Sequence, residues 1–261
     1  MKEVFKYTFT TIADWQKFLF VILIISILTL IEPYPFIGYT SLIFEKLILL
    51  SIGVFLIYLV KHSSSVEVYF ENLKNNGFGS FLFHFIPSAA GILIGGIIVF
   101  AFWITLFVII LQSTNALFIL ANPHEFFFAL SKTAFITQIL LGFYAIYLLF
   151  FSYVFLGKFG EALSKKSFKA ALIAIILSLF DFKYWIKTFN LKYFIIYFVW
   201  SLIIIGIYSI LAFAHIFIIY PTILNNPDLT LLIIPVLSAI SIILSYFTFF
   251  SAYFAHKTTG N

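Results

Sequence analysis

Cysteine and arginine are both absent from this chain, and charge of either sign is scarce. Without Cys there are no disulfides, no thiolate chemistry and no Cys-bearing metal sites. Without Arg, bidentate guanidinium recognition of phosphate or carboxylate is excluded; all 15 basic residues are Lys. Only 10% of the 261 residues are charged, against about 25% in a soluble domain. Too few polar side chains remain to cover a surface in water. Catalytic signatures are missing as well. There is no Walker sequence and no dinucleotide fingerprint. His124 and Glu125 begin like a zinc-protease motif, but position 128 is Phe. Gly77, Gly79 and Ser80 do not form the G-x-S-x-G elbow of a serine hydrolase. Five scattered histidines make no recognisable metal set. An enzyme is not expected, nor is a cofactor.

What is present is grease. Hydrophobic residues make up 63% of the chain, with 37 Phe and 15 Tyr, and mean hydropathy is +1.14. Crossing the hydrocarbon core takes roughly 20 apolar residues in a helix. Six stretches qualify: about Trp15 to Ile31 (slightly short), Ser41 to Val60, Phe81 to Leu111, Ala134 to Leu156, Tyr193 to Tyr220 and Leu229 to Ala255. The first, after a charged start, competes with a cleaved signal peptide. Glu32, Pro33, Tyr34 and Pro35 follow it in place of a small-x-small cleavage site, so a retained span is expected. A seventh run, Phe168 to Phe180, is too short to cross. It is expected in the interface or partly inserted. Phe5, Phe9, Ile12 and Trp15 recur at helical spacing, which predicts an interfacial helix leading into the first span. The joint from Gln112 to Lys132, with Phe126, Phe127 and Phe128, is apolar enough to lie on the opposite interface.

Six spans put both termini on one side. That side receives Lys2, Lys6, Lys17, Lys61, Lys74, Lys158, Lys165, Lys166, Lys169, Lys183, Lys187, Lys192 and Lys257; the other receives Lys46 and Lys132. The positive-inside rule then predicts N- and C-termini in the cytoplasm, in a cell membrane. The net charge of +5 is expected to meet anionic lipid headgroups on the cytoplasmic face rather than nucleic acid.

Within the spans, Gly91, Gly95 and Gly96 form a GxxxGG. Such a stripe lets backbones approach closely. Ordinary packing inside the bundle is the first expectation; a homo-oligomer interface or a moving helix is the other. Pro87 and Pro235 lie in the third and sixth spans and are expected as static kinks. His215, in the outer half of the fifth span, is expected to be bonded to a neighbour. Lys158, Lys165, Lys166, Lys169, Lys183 and Lys187 crowd the fourth joint. They read as a topogenic anchor, or as a platform for lipid or a partner. No carboxylate lies at mid-membrane depth, where one costs about 2.5–3.5 kcal/mol. That counts against a proton- or sodium-coupled carrier.

Three local patterns carry a resemblance. The aromatic-rich start, Phe5-Lys6-Tyr7-Thr8-Phe9, leads to Asp14-Trp15. Asn72-Leu73 to Gly77 precedes Phe85-Ile86-Pro87. The run Gly157 to Ala162 reads Gly-x-x-Gly-x-Ala and is followed by a basic amphipathic segment and two final spans. With these the chain resembles the mainly archaeal multi-pass proteins of domain-of-unknown-function family 4013, departing from them in having Lys or nothing at the family's Arg positions. The resemblance implies a multi-pass bundle and supplies no activity.

The expectation is therefore one polytopic domain over 1–261. It is an all-α integral membrane bundle of about six transmembrane helices with one or two interfacial amphipathic helices. The functional expectation is a non-enzymatic protein that organises a membrane complex or binds lipid. The alternative is a small-molecule or lipid transporter, or a channel, using the third span's glycines, Pro235 and His215.

Overall fold

A computed structural model describes residues 1–34, 37–117, 128, 130, 133–219 and 226–260. His124, Glu125, Phe126, Phe127, Lys132 and the stop at Pro221 lie outside them. Ten α-helices account for nearly all of the described chain, which contains no strand. They are α1 Lys2–Ala13, α2 Trp15–Ile31, α3 Ile37–Lys61, α4 Val66–Asn75, α5 Phe78–Ser113, α6 Phe135–Leu163, α7 Phe168–Leu177, α8 Phe182–Thr188, α9 Leu191–Ala214 and α10 Thr230–Lys257. A π-helical turn, His215–Ile219, extends α9. Five helices (α3, α5, α6, α9 and α10) are long and apolar enough to cross a membrane, and counting the bent pair α1–α2 as one span gives six. The chain is a multi-pass membrane protein. All-helical structure follows from the solvent, because in hydrocarbon each backbone N–H and C=O must find its partner within its own helix.

Two amphipathic helices cap the end that carries the termini. α1 turns 82° away from α2 at Asp14. Its Val4, Tyr7, Thr8 and Thr11, at helical spacing, are buried against the bundle. Of the residues that mark this segment in the sequence, Phe5, Phe9 and Trp15 are exposed and Ile12 packs against the core. α4 begins at Ser65, whose Oγ accepts the Val68 N–H at 3.3 Å. It buries Tyr69 and Leu73, and the Tyr69 hydroxyl meets Thr11 Oγ1 at 2.6 Å. The Lys17 ammonium donates to the Leu73 carbonyl, so α4 is tied to the start of α2.

The core lies at this same end. It takes in α3 from Leu49 to Val60, α6 from Phe151 to Leu163 and α10 from Ile242 to Ala255. Toward the other end many large side chains face outward, as Leu231, Leu232, Phe135 and Ile136 do, around a small second core of Leu111, Ala116 and Leu141. Most of α9 is exposed, with only Tyr193 and Ile196 buried.

One boundary differs from the sequence reading. α6 runs on through Gly157 and Gly160 to Leu163, so Lys158 lies inside a helix and not in the joint after it. The apolar run at 168–180, expected in the interface or partly inserted, packs lengthwise along α5. α7 starts with the Phe168 carbonyl against Gly91, and Phe180 ends beside Phe102 with ring centroids 5.8 Å apart. Eleven residues of α5 separate those levels, about 16 Å along its axis at 1.5 Å per residue. The chain then turns back through α8, making a re-entrant hairpin.

The glycines explain how it fits. A Cβ on Gly91 would overlap the Phe168 carbonyl, and one on Gly95 would lie 2.9 Å from Ile175 Cβ. Both therefore serve packing inside one chain. Gly96 faces the other way, with no atom within 4 Å of where its Cβ would be. On α6, a Cβ on Gly160 would overlap the Ala252 carbonyl of α10. Gly91→Ala is accordingly expected to lower stability in detergent by about 1–3 kcal/mol, the usual cost of overpacking. Gly96→Ala should be neutral or stabilising by up to about 1 kcal/mol, the gain in helix propensity. Thermal unfolding of the two purified variants checks the contrast.

Candidate functional site

The re-entrant hairpin is built from local caps. Ser167 Oγ accepts the Ala170 N–H at 3.3 Å and starts α7. The Ser178 hydroxyl donates back to the Ile175 carbonyl at 2.5 Å as α7 ends. Asp181 Oδ1 accepts the Tyr184 N–H at 2.9 Å and starts α8. Trp185 Nε1 donates to the Ser178 carbonyl at 3.1 Å, closing the tip. From α6, Tyr147 donates to the Leu179 carbonyl at 3.0 Å and Tyr153 to the Thr188 carbonyl at 2.8 Å.

Below the tip lies the one lysine that the fold buries among those of the joint. Lys158 is 3% exposed. Its Nζ donates to Asp181 Oδ2 at 2.7 Å and Glu161 Oε2 at 2.8 Å, and sits 4.2 Å from the centre of the Tyr184 ring. Desolvating an ammonium costs several kcal/mol; two carboxylates and a ring face offset it. The Tyr184 hydroxyl meets His256 Nδ1 at 3.3 Å, which links α8 to α10. Burial raises the Asp181 carboxyl, but the Lys158 hydrogen bond, the Tyr184 N–H and the charges of Lys158 and Lys187 outweigh it and hold it below the ordinary 3.8. This cluster joins α6, the hairpin and α10.

Beside the hairpin is an apolar groove of about 690 Å³. Gly96, Phe100 and Trp103 of α5, Phe151 and Phe155 of α6, and Ile175 of α7 line it, and Trp200 of α9 closes one side. Its polar atoms are largely engaged. Trp200 Nε1 donates to Thr248 Oγ1 at 3.1 Å, and the Ser152 hydroxyl meets that of Tyr197 at 2.9 Å. Trp103 Nε1 is buried without an acceptor among the described residues.

The remaining sequence candidates separate. Lys165 pairs with Glu161 at 3.5 Å. Lys166 lies 4.3 Å from the Tyr58 ring centre. Lys169, Lys183 and Lys187 are exposed on the hairpin. Lys158 does not belong with them, because its charge is consumed internally. His215 opens the exposed π-helical turn, and Pro235 sits in the first turns of α10; neither lines the groove. At the end away from the termini, Glu32 and Glu45 approach each other beside Lys46, whose Nζ is 2.5 Å from Glu45 Oε1. Burial raises the Glu32 carboxyl, and its hydrogen bond with Glu45 raises it further. Trp103, Phe151 and Phe155 were not singled out by the sequence. The signal that could have found the two phenylalanines is the i, i+4 recurrence of Phe151, Phe155 and Phe159 on α6.

Lys158→Met leaves two facing carboxylates without their cation. It is expected to cost about 2–3 kcal/mol, below the ~3–5 of a fully buried pair because Glu161 and Asp181 are only partly buried. Asp181 has a lowered folded value, so its contribution is full above the ordinary 3.8 and disappears as pH falls through that lowered value. Unfolding curves of wild type and Asp181→Asn should therefore differ at neutral pH and converge in acid.

Compared with known proteins, the chain matches no protein-family model, no curated protein and no solved structure.

Proposed function

We propose that the protein is a non-enzymatic lipid-binding membrane protein that holds an acyl chain in the groove beside the re-entrant hairpin. The observation that carries this is the groove itself. Its volume, about 690 Å³, lies within the roughly 300–1,000 Å³ of small-molecule sites. Its walls are aromatic and aliphatic, and Gly96 leaves space where any side chain would intrude. A transporter or channel for polar solutes would need free polar groups along a mid-depth path. The hydroxyls of Ser152 and Thr248 in the groove already have partners.

On this reading the termini-bearing end faces the cytoplasm of a cell membrane, against anionic headgroups. The lysine distribution supports this, as does the gathering of Lys61, Lys165 and Lys257 around one pocket at that end. Kinship with family 4013 rests on the motif residues alone.

Two measurements test the proposal. Purified wild type should carry bound lipid visible by native mass spectrometry. Gly96→Phe should carry roughly a tenth as much, because displacing about two methylenes at ~0.8 kcal/mol each weakens binding about tenfold. Equal occupancy in a folded Gly96→Phe would remove the groove from consideration. For orientation, Ser164→Cys and Asn226→Cys should react with an impermeant maleimide from opposite faces of sealed vesicles, Ser164→Cys from the cytoplasmic one. Reaction from a shared face would end the six-span arrangement.

A further inference from the structure

We propose a second lipid site, specific for an anionic phospholipid headgroup, in the pocket where the first turns of α1 and α9 meet the last turn of α10. This pocket, about 540 Å³, is lined by Glu3, Lys192, Ile195, Ile196, Phe254 and Lys257. It is separate from the groove, and its argument does not need the groove to be occupied.

The first ground is uncompensated charge. Lys192 and Lys257 come from different helices to one pocket. Among the described residues neither forms an ion pair, and Glu3, the carboxylate of the pocket, pairs with neither. Lys17, Lys46, Lys158 and Lys165 have carboxylates; among the described residues Lys169 and Lys183 are also without an ion pair, but only Lys192 and Lys257 line this pocket. Lys192 is also badly placed by its own helix. It lies in the first turn of α9, where the positive end of the helix dipole disfavours a cation. Lys257, in the last turn of α10, is favoured by its own helix; an anion in the pocket relieves the repulsion at Lys192.

The second ground is the apolar wall, which selects an amphiphile over a soluble anion. Ile195, Ile196 and Phe254 give inorganic phosphate nothing to contact. From the pocket, Ile195, Phe198, Leu202 and Ile205 follow one face of α9 at helical spacing, and all are exposed. That ridge runs about 15 Å, a track for the acyl chain of a lipid whose phosphate sits at the lysines. The two parts stand in the right order, since the lysines are at the termini-bearing end and the ridge leads toward the middle of the bundle.

The test is native mass spectrometry of the intact protein in detergent, titrated with phosphatidylglycerol or phosphatidylcholine. Wild type should retain phosphatidylglycerol preferentially. Lys192→Gln/Lys257→Gln should weaken that step about thirtyfold, equivalent to ~1 kcal/mol for each lysine at ~1.4 kcal/mol per tenfold. Lys169→Gln/Lys183→Gln, which removes equal charge from exposed positions on the hairpin, should change it less than about threefold. All four lysines are exposed, so both variants are expected to fold. Equal losses in the two variants would show general charge attraction and overturn the site. So would equal retention of the two lipids, or displacement of phosphatidylglycerol by millimolar inorganic phosphate. Gly96→Phe should leave this step intact; if it abolishes the same bound lipid, there is one site and not two.

Discussion

Apolar helices surrounded by acyl chains gain little by exchanging lipid contacts for each other, so their association depends on how closely the backbones fit. In this protein the fit is set where side chains are missing. Gly91 and Gly95 admit α7 against α5, and Gly160 admits α10 against α6. The re-entrant hairpin, the groove it walls and the burial of Lys158 all follow from those contacts. A side chain at Gly91 would move α7 outward, and Ile175, which rides on α7, would leave the groove with it.

Polar contacts then fix what the glycines allow. Lys158 fastens the end of the hairpin to α6 through Asp181, and Tyr184 carries the connection to His256 on α10. Tyr193 adds a second fastening. Its hydroxyl donates to the Tyr153 carbonyl at 2.5 Å and accepts the Gly157 N–H at 3.0 Å. The Gly-x-x-Gly-x-Ala run is thus a packing device. Gly157 makes room for the Tyr184 hydroxyl and the Tyr193 ring, Gly160 for a backbone, and Ala162 is fully buried.

Hydropathy and charge made the spans and the buried end legible in the sequence, because both are local consequences of transfer from water to lipid. Trp15–Ile31 has the bounds that its apolar run implies. The end of α6 was misread because Gly157, Lys158 and Gly160 look like a joint, and only their tertiary partners keep the helix going. The depth of α7 was not legible at all. A ten-residue apolar helix fits an interface equally well until Gly91 and Gly95 are seen to receive it. Lys158 and Lys165 have the same chemistry in sequence, and one is buried only because Asp181 returns to it 23 residues later. The groove draws its walls from several helices, so no window of sequence contains it.

The sharp turn at Asp14 reaches beyond the protein. α1 is held flat by its buried face, and Lys17 is anchored on Leu73 and Asp14, so α2 cannot slide toward that surface. Its 17 residues extend only about 25 Å, while the hydrocarbon layer is about 30 Å thick. A pinned helix that short leaves the adjustment to the bilayer, which dimples and thins beside it. Local thinning along the α2 side is the expected response to that mismatch.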